Sequence, residues 1–118
     1  MGTLFSASVT GFVGGEVSVR EVGEQRVASF SVAVNRKTRN GEQQTLWVRV
    51  NCWNKLADVA GSYLKSGSLV LVQASWMRAS AYIDREGNPQ ASLDINADRL
   101  ILLDRVNNED RDIPEITF

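Results

Sequence analysis

The segment Thr45–Trp53, TLWVRVNCW, constrains the fold more than any other part of this chain, because its side chains alternate with a period of two. Successive side chains of a β-strand point to opposite faces, so the alternation predicts a strand with two different surfaces. Trp47, Arg49 and Trp53 share the surface that points away from the core. The aliphatic surface predicts the core side, and its members are Leu46, Val48, Val50 and Cys52.

Two outward indole rings beside a guanidinium group have two interpretations. Apolar surface left in water costs roughly 25 cal/mol for each Å², so rings such as Trp47 and Trp53 indicate a binding partner. Flat rings with a neighbouring cation are typical of surfaces that stack nucleic-acid bases and pair with phosphate. The alternative is that the rings lie under another sheet, a loop or a second subunit. This strand by itself favours neither interpretation.

The composition removes whole classes of site. The 118 residues include no histidine and one cysteine, which excludes intrachain disulfides, the usual zinc sites and the histidine-dependent catalytic arrangements. We therefore expect no catalytic residues, no metal and no cofactor, and we expect Cys52 to be a small core residue. The first residues lack the pattern of a secretory signal, and no stretch is long and apolar enough to cross a membrane, so we expect no membrane association.

The charge is divided unevenly along the chain. Residues 1–103 carry 11 Lys and Arg against 9 Asp and Glu, whereas residues 104–118 carry 2 Arg against 5 acidic residues. The body is mildly basic and the end is acidic, a division often found in nucleic-acid partners. We predict a folded binding domain over residues 1–104 and a flexible acidic tail over residues 105–118.

The hydrophobic pattern predicts five strands and one helix. The strands cover about 4–13 (interrupted at Gly14-Gly15 and continued over 17–22), 27–35, 45–53, 69–83 and 91–103. The helix follows the third strand, with Asn54 as N-cap, Gly67 at its end and an apolar stripe of Leu56, Val59, Ala60, Tyr63 and Leu64. This order predicts an all-β protein, a five-stranded oligonucleotide/oligosaccharide-binding (OB) barrel with a helix between strands 3 and 4. Such barrels bind single strands across strands 2 and 3, which favours the stacking interpretation of the tryptophans.

Further candidate contacts lie on two long hairpins. The polar stretch between the second and third strands supplies three cations for phosphate: Arg36, Lys37 and Arg39. The fourth predicted strand places Trp76, Arg78 and Tyr82 on one face. Trp76 could stack on a base or pack against a neighbouring subunit.

An ordered series of motifs resembles the bacterial single-stranded DNA-binding proteins over nearly the whole chain. The resemblance rests on Gly11-x-Val13-Gly14, Val19-Arg20, Val27-Ala28-x-Phe30-x-Val32-Ala33-Val34-Asn35-Arg36, Trp47-x-Arg49-Val50, Trp53-Asn54-Lys55-Leu56-Ala57-Asp58-Val59-Ala60 and Tyr63-Leu64-Lys65-x-Gly67-Ser68-x-Val70. It implies that Trp47 and Trp53 stack on bases, the latter at a place where the family usually has phenylalanine. It also implies that Tyr82 belongs to a long hairpin arm. Trp76 has no counterpart in that pattern.

The resemblance also implies a biological role. It predicts a homotetramer, with a dimer as runner-up, that coats single-stranded DNA during replication, recombination and repair in the cytoplasm, associated with the nucleoid, or in an organelle. The tail would recruit replication and repair proteins through Asp110, Asp112, Ile113, Pro114 and Phe118, although Glu115-Ile116-Thr117 separates the usual ending from the terminal Phe. The alternatives are a replication scaffold of the primosomal type, an RNA-binding module, or a barrel nuclease, for which Glu42 is the one acidic residue near the face.

Overall fold

The computed structural model describes residues 2–103, which form seven strands and one helix. In chain order these are β1 (Ala7–Val22), β2 (Gln25–Lys37), β3 (Gln43–Trp53), α1 (Lys55–Tyr63), β4 (Leu69–Ala74), β5 (Met77–Ile83), β6 (Pro89–Asn96) and β7 (Arg99–Leu102). A chain of mostly β-structure with one helix after the third strand is confirmed.

The strands belong to one seven-stranded sheet in the order β5-β6-β3-β2-β1-β4-β7. Its pairs are antiparallel except for β3 and β6, which run parallel. The predicted five-stranded barrel is not confirmed, because the structure has one sheet of seven strands with β5 and β7 at its two edges. The order nevertheless brings β1, β2 and β3 together at the centre, where β2 pairs with both neighbours over most of its length.

Two strands that the sequence predicted as continuous are each divided in the structure. The fourth predicted strand breaks at Ser75-Trp76 into β4 and β5, and the fifth breaks at Ala97-Asp98 into β6 and β7. At the second break Ala97 N donates to Asn51 O of β3 at 2.9 Å, and Asp98 N donates to Gln73 O of β4 at 2.8 Å. The chain therefore changes partner between these two residues, from β3 to β4, and this exchange divides the strand.

The predicted interruption of the first strand at Gly14-Gly15 is wrong. β1 continues through both glycines, with a register shift between Gly14 and Ser18 in which four steps along β1 match two along β2. Gly15 has a φ of 82°, in the left-handed region that glycine adopts without steric cost. The two glycines therefore mark a bulge within a strand.

The core lies between the inward face of the sheet and α1. Val48, Val50 and Cys52 of β3 are buried as predicted, and each lies opposite a buried residue of β2. Leu46, assigned to the same face, is 51% exposed, because the end of the β2–β3 hairpin extends past the cluster that buries its neighbours. Burial raises the pKa of the Cys52 thiol to about 12, which makes this cysteine a poor nucleophile.

The helix packs through most of the predicted stripe, because Ala60 and Leu64 are buried and Leu56 packs against the core. Ala57 is buried as well and extends the packed side in one direction. Val59 and Tyr63 fall at the other edge of the stripe and are 41% and 66% exposed, so the placement of Tyr63 in the core is wrong. α1 ends at Tyr63 rather than at Gly67, and in residues 2–103 no helix is long and apolar enough to span a membrane.

Asn54 precedes the helix as predicted but does not cap it through its side chain. Its Oδ1 accepts a hydrogen bond from Arg26 N at 3.2 Å, so the side chain ties the helix entrance to β2. A second tie follows at Asp58, whose carboxylate accepts two hydrogen bonds from the Arg26 guanidinium, at 2.8 and 2.9 Å. These contacts fix α1 against the end of the strand that lies beside Trp53.

Candidate nucleic-acid interface

The strand register collects most of the predicted contact residues on one outward surface. One row of cross-strand neighbours runs through Gly14 of β1, Ser31 of β2, Arg49 of β3, Asp94 of β6 and Arg78 of β5. The same parity on β3 places Trp47 and Trp53 on either side of this row, two and four residues from Arg49. We call the outward surface that carries Trp47, Arg49 and Trp53 the ring face.

Trp47 is 53% exposed, and its ring lies over Gly14 on β1. A Cβ atom at Gly14 would lie 2.5 Å from Cζ3 and 2.7 Å from Cη2 of the indole, closer than any real contact. Gly14 does not have a positive φ, so no backbone requirement explains the glycine. Its missing side chain leaves the space into which the outer edge of the indole fits.

Trp53 is 36% exposed and is held by a hydrogen bond instead. Its Nε1 donates to Asn96 Oδ1 of β6 at 3.4 Å. Because an indole N–H can only donate, Asn96 turns its carbonyl oxygen to the ring and its amide nitrogen away. Asn51, the neighbour of Asn96 in the β3–β6 register, accepts a 2.7 Å hydrogen bond from Ser29 Oγ.

Arg49 and Arg78 flank the carboxylate of Asp94 across neighbouring strands. Asp94 accepts a hydrogen bond from Ser92 Oγ at 3.2 Å. Among residues 2–103, Arg26 and Asp58 form the only salt bridge, so neither Arg49 nor Arg78 is paired with a carboxylate in this way. Both guanidinium groups belong to exposed residues and are free to meet phosphate.

The β2–β3 hairpin divides its cations between two surfaces. Lys37 shares the parity of the ring face, whereas Arg36 lies on the opposite surface with Val34 and Leu46. There the Arg36 guanidinium donates twice to Gln44 Oε1, at 3.0 and 3.1 Å, beside an open groove of about 570 Å³. Arg39 is exposed in the turn between the strands. The sequence placed all three cations together, and the register separates Arg36 from the tryptophans.

The β5–β6 hairpin carries the remaining predicted residues. Trp76 is 68% exposed at the break between β4 and β5, and Tyr82 is 53% exposed on the same face of β5 as Arg78. Asp84 closes the hairpin turn, because its Oδ1 accepts from Asn88 N at 2.8 Å and from Glu86 N at 3.0 Å. The hydrogen bond from the Asn88 backbone is the main reason why the pKa of Asp84 lies below its usual range.

Sequence reasoning missed Phe12 and Asn96. Phe12 is 49% exposed on β1, in the row that continues through Ala33 to Trp47. The alternation of Ser8, Thr10 and Phe12 with Val9, Gly11 and Val13 was the signal that could have found it. Asn96 had no signal, because its contact with Trp53 depends on the parallel pairing of β3 and β6.

Two groups of predictions remain to be placed. The tail residues Asp110, Asp112, Ile113, Pro114 and Phe118 lie outside the described residues. Within residues 2–103 no group of three or more Cys, Asp and Glu side chains is arranged to hold a metal ion.

Comparison with known proteins gives one consistent result. The model of the single-strand binding protein family matches residues 4–103. The single-stranded DNA-binding protein of Chlamydia trachomatis serovar D is 39% identical over 79 residues, which cover 66% of this chain and 48% of that protein. The corresponding protein of Chlamydia pneumoniae is 35% identical over 92 residues, covering 76% of this chain and 56% of the relative. The chain thus spans about half the length of these relatives.

Solved structures agree in fold. A Plasmodium falciparum SSB in complex with ssDNA superposes with a TM-score of 0.69 at 28% identity, covering 88% of this chain and 98% of the other. A small single-stranded DNA-binding protein from Streptomyces coelicolor superposes with a TM-score of 0.67 over 83% of this chain and 93% of the other, at 22% identity. The second likeness concerns the fold alone.

Proposed function

Since this chain belongs to the single-strand binding protein family, we propose that it binds single-stranded DNA and protects it during replication, recombination and repair. The observation that carries the proposal is the presence of two exposed indole rings on either side of Arg49, a cation without a salt bridge, on one surface of the sheet. Stacking supplies roughly 1–3 kcal/mol per base, and phosphate contacts add counterion release. The protein acts by binding and performs no catalytic step.

The same geometry explains why little sequence preference is expected. Every base has a flat face, so Trp47 and Trp53 accept purines and pyrimidines alike. The sugar-phosphate backbone of DNA carries no sequence information, and its phosphates are contacted by four cations: Lys37, Arg39, Arg49 and Arg78. Tyr82 and Trp76 extend the contact along the β5–β6 hairpin.

We propose that residues 1–104 act as the DNA-binding unit and that its strands form an OB-type barrel. We also propose that this unit assembles into a homotetramer or, failing that, a dimer. The exchange at Ala97-Asp98 supports the barrel, because one segment forms hydrogen bonds to β3 and then to β4. A single OB module covers a short stretch of strand, so coating of long DNA requires several modules together.

For the acidic segment at residues 105–118 we propose the recruitment of replication and repair proteins. Its carboxylates and terminal Phe118 offer a partner an apolar ring between acidic groups, which Arg or Lys can hold. The test is a pull-down from cell extract with and without Phe118. Recovery of the same partners in both cases would exclude the recruiting role.

The principal test is titration with labelled oligo(dT) of several lengths, followed by fluorescence anisotropy. Trp47→Ala and Trp53→Ala should each weaken binding by roughly 1–3 kcal/mol without loss of the fold. Tyr63→Ala is the matched control, because it removes an exposed ring from α1, outside the ring face, and should leave affinity unchanged. A folded double variant of the tryptophans with unchanged affinity would contradict the proposal. Equal competition by oligo(U) would assign the protein to RNA as well as DNA.

A further inference from the structure

Phe12 presents a third aromatic side chain beside the ring face. It lies on β1 directly opposite Ala33 of β2, which in turn lies opposite Trp47 of β3. Phe12 and Trp47 therefore occupy one row across three central strands, with a methyl group between them. Phe12 is 49% exposed although the inward residues on either side of it, Gly11 and Val13, are buried.

The Trp47 indole extends towards β1, so the rings of Trp47 and Phe12 lie closer together than their positions on β3 and β1 alone would place them. The outer edge of the indole lies over Gly14, which is two residues beyond Phe12 on the same face of β1. Residues i and i+2 of a strand are about 7 Å apart, so the indole reaches the strand position next to Phe12. The two rings thus border one surface, with Ala33 between them and Gly14 beneath the edge of the indole.

The surroundings of Phe12 suit a polyanion. The outward neighbours are Thr10 and Gly14 on β1, Ser31 and Asn35 on β2, and Leu69 on β4 directly opposite Phe12, and none of them is charged. No carboxylate on these flanking positions repels a phosphate. Phe12 and Trp47 are each about half exposed in these surroundings, which leaves ring surface available to a flat ligand.

We propose that Phe12 is a further base-stacking residue, and that the bound strand continues from β3 across β2 onto β1. This inference rests on the proposed function and extends its site. The occupant is a base of single-stranded DNA, because the surface at Phe12 is continuous with the one that Trp47 borders. The side chain stays half exposed in the free protein because its contact is made when DNA binds.

The test compares three variants at position 12 in the full chain, with labelled oligo(dT) as the probe. Phe12→Ala should weaken binding roughly 5- to 150-fold, the range that one stacked base provides. Phe12→Tyr should retain wild-type affinity, because the ring remains. Phe12→Leu should behave like Phe12→Ala, because it retains apolar volume without a flat ring. A direct readout is photochemical cross-linking of an oligonucleotide that contains 5-iododeoxyuridine, which should attach to residue 12.

Two results would overturn the assignment. Unchanged affinity in a folded Phe12→Ala protein with no cross-link at residue 12 would show that the strand does not reach β1. A fall in molecular mass on sedimentation of Phe12→Ala, with Phe12→Leu retaining full affinity, would assign the ring to a contact between copies of this chain. Trp47→Ala in the same assay distinguishes failure of this inference from failure of the proposed function. If Trp47→Ala weakens binding and Phe12→Ala does not, the assignment of Phe12 fails and the proposed function stands.

Discussion

Replacing Gly14 by Ala should impair DNA binding through the displacement of Trp47. The new methyl group would lie 2.5 Å from the indole Cζ3, whereas carbon atoms pack at about 3.5–4.0 Å, so the edge of the ring must move by roughly 1 Å or more. Complete loss of one stacked base costs roughly 1–3 kcal/mol of binding free energy, and the loss in Gly14→Ala cannot exceed this. We therefore expect the dissociation constant of Gly14→Ala to rise several-fold, and by no more than that of Trp47→Ala.

The fold should tolerate this substitution. Gly14 has no positive φ, and the clashing atoms are the far end of an exposed side chain that can rotate away. Gly→Ala at a compatible position removes freedom from the unfolded chain, which is worth roughly 0.4–1 kcal/mol in favour of the folded state. The free energy of unfolding in urea should consequently stay within about 1 kcal/mol of wild type while the affinity for oligo(dT) falls.

Gly15→Ala provides the matched control and reverses both expectations. Gly15 has a φ of 82° and nothing within 4 Å of a would-be Cβ atom, so alanine there strains the backbone and touches nothing. It should lower stability by roughly 1–2 kcal/mol and leave the affinity of the folded protein unchanged. The decisive assay is a double-mutant cycle between Gly14→Ala and Trp47→Ala. If the two losses of affinity add fully, Gly14 does not act through the indole and the reasoning fails.

Three further predictions concern charge and burial. Lys37→Gln should lower the slope of log affinity against log salt by about 0.7, whereas Arg36→Gln, on the opposite surface, should leave it nearly unchanged; equal slopes for the two variants would contradict the assignment of surfaces. Cys52, with a pKa of about 12, should react with Ellman's reagent at pH 8 on unfolding and not before, and rapid labelling of the native protein would contradict its burial. The hydrogen bond from Arg26 lowers the pKa of Asp58, so its stabilisation is complete above the unfolded value near pH 4 and is lost as the pH falls through the lower folded value. Between pH 7 and pH 2, the free energy of unfolding measured in urea should accordingly fall more in wild type than in Asp58→Asn.

The sequence predicted those features that depend on neighbours within one strand. The period-two pattern of Thr45–Trp53 identified Trp47, Arg49 and Trp53 as outward side chains, and all three are exposed. The pattern is local, since every second side chain of a strand must share a face whatever the strand pairs with. The burial of Val48, Val50 and Cys52 could be predicted for the same reason.

Features that depend on pairing could not be predicted in this way. The exchange of partners at Ala97-Asp98 has no local signature, because the residues on both sides alternate as one strand would. The helix pattern identified Leu56, Ala60 and Leu64 as packed residues, but it did not show that the packed side is turned towards Ala57, which leaves Tyr63 exposed. Small residues contribute little to a hydrophobic pattern, although they decide how closely two elements approach.

The same reasoning about small residues applies to the ring face. A ring can stack on a base when one of its faces is open, and it keeps that orientation when its edge is supported against the sheet. Trp47 obtains this support over Gly14, and Ala33, which lies between Trp47 and Phe12 in their common row, leaves the space between the two rings open. A larger side chain at either position would lift or cover a ring without changing the number of aromatic residues. The proposed stacking surface thus depends on the residues without bulk as well as on the tryptophans, and a search for aromatic residues alone would miss Gly14 and Ala33.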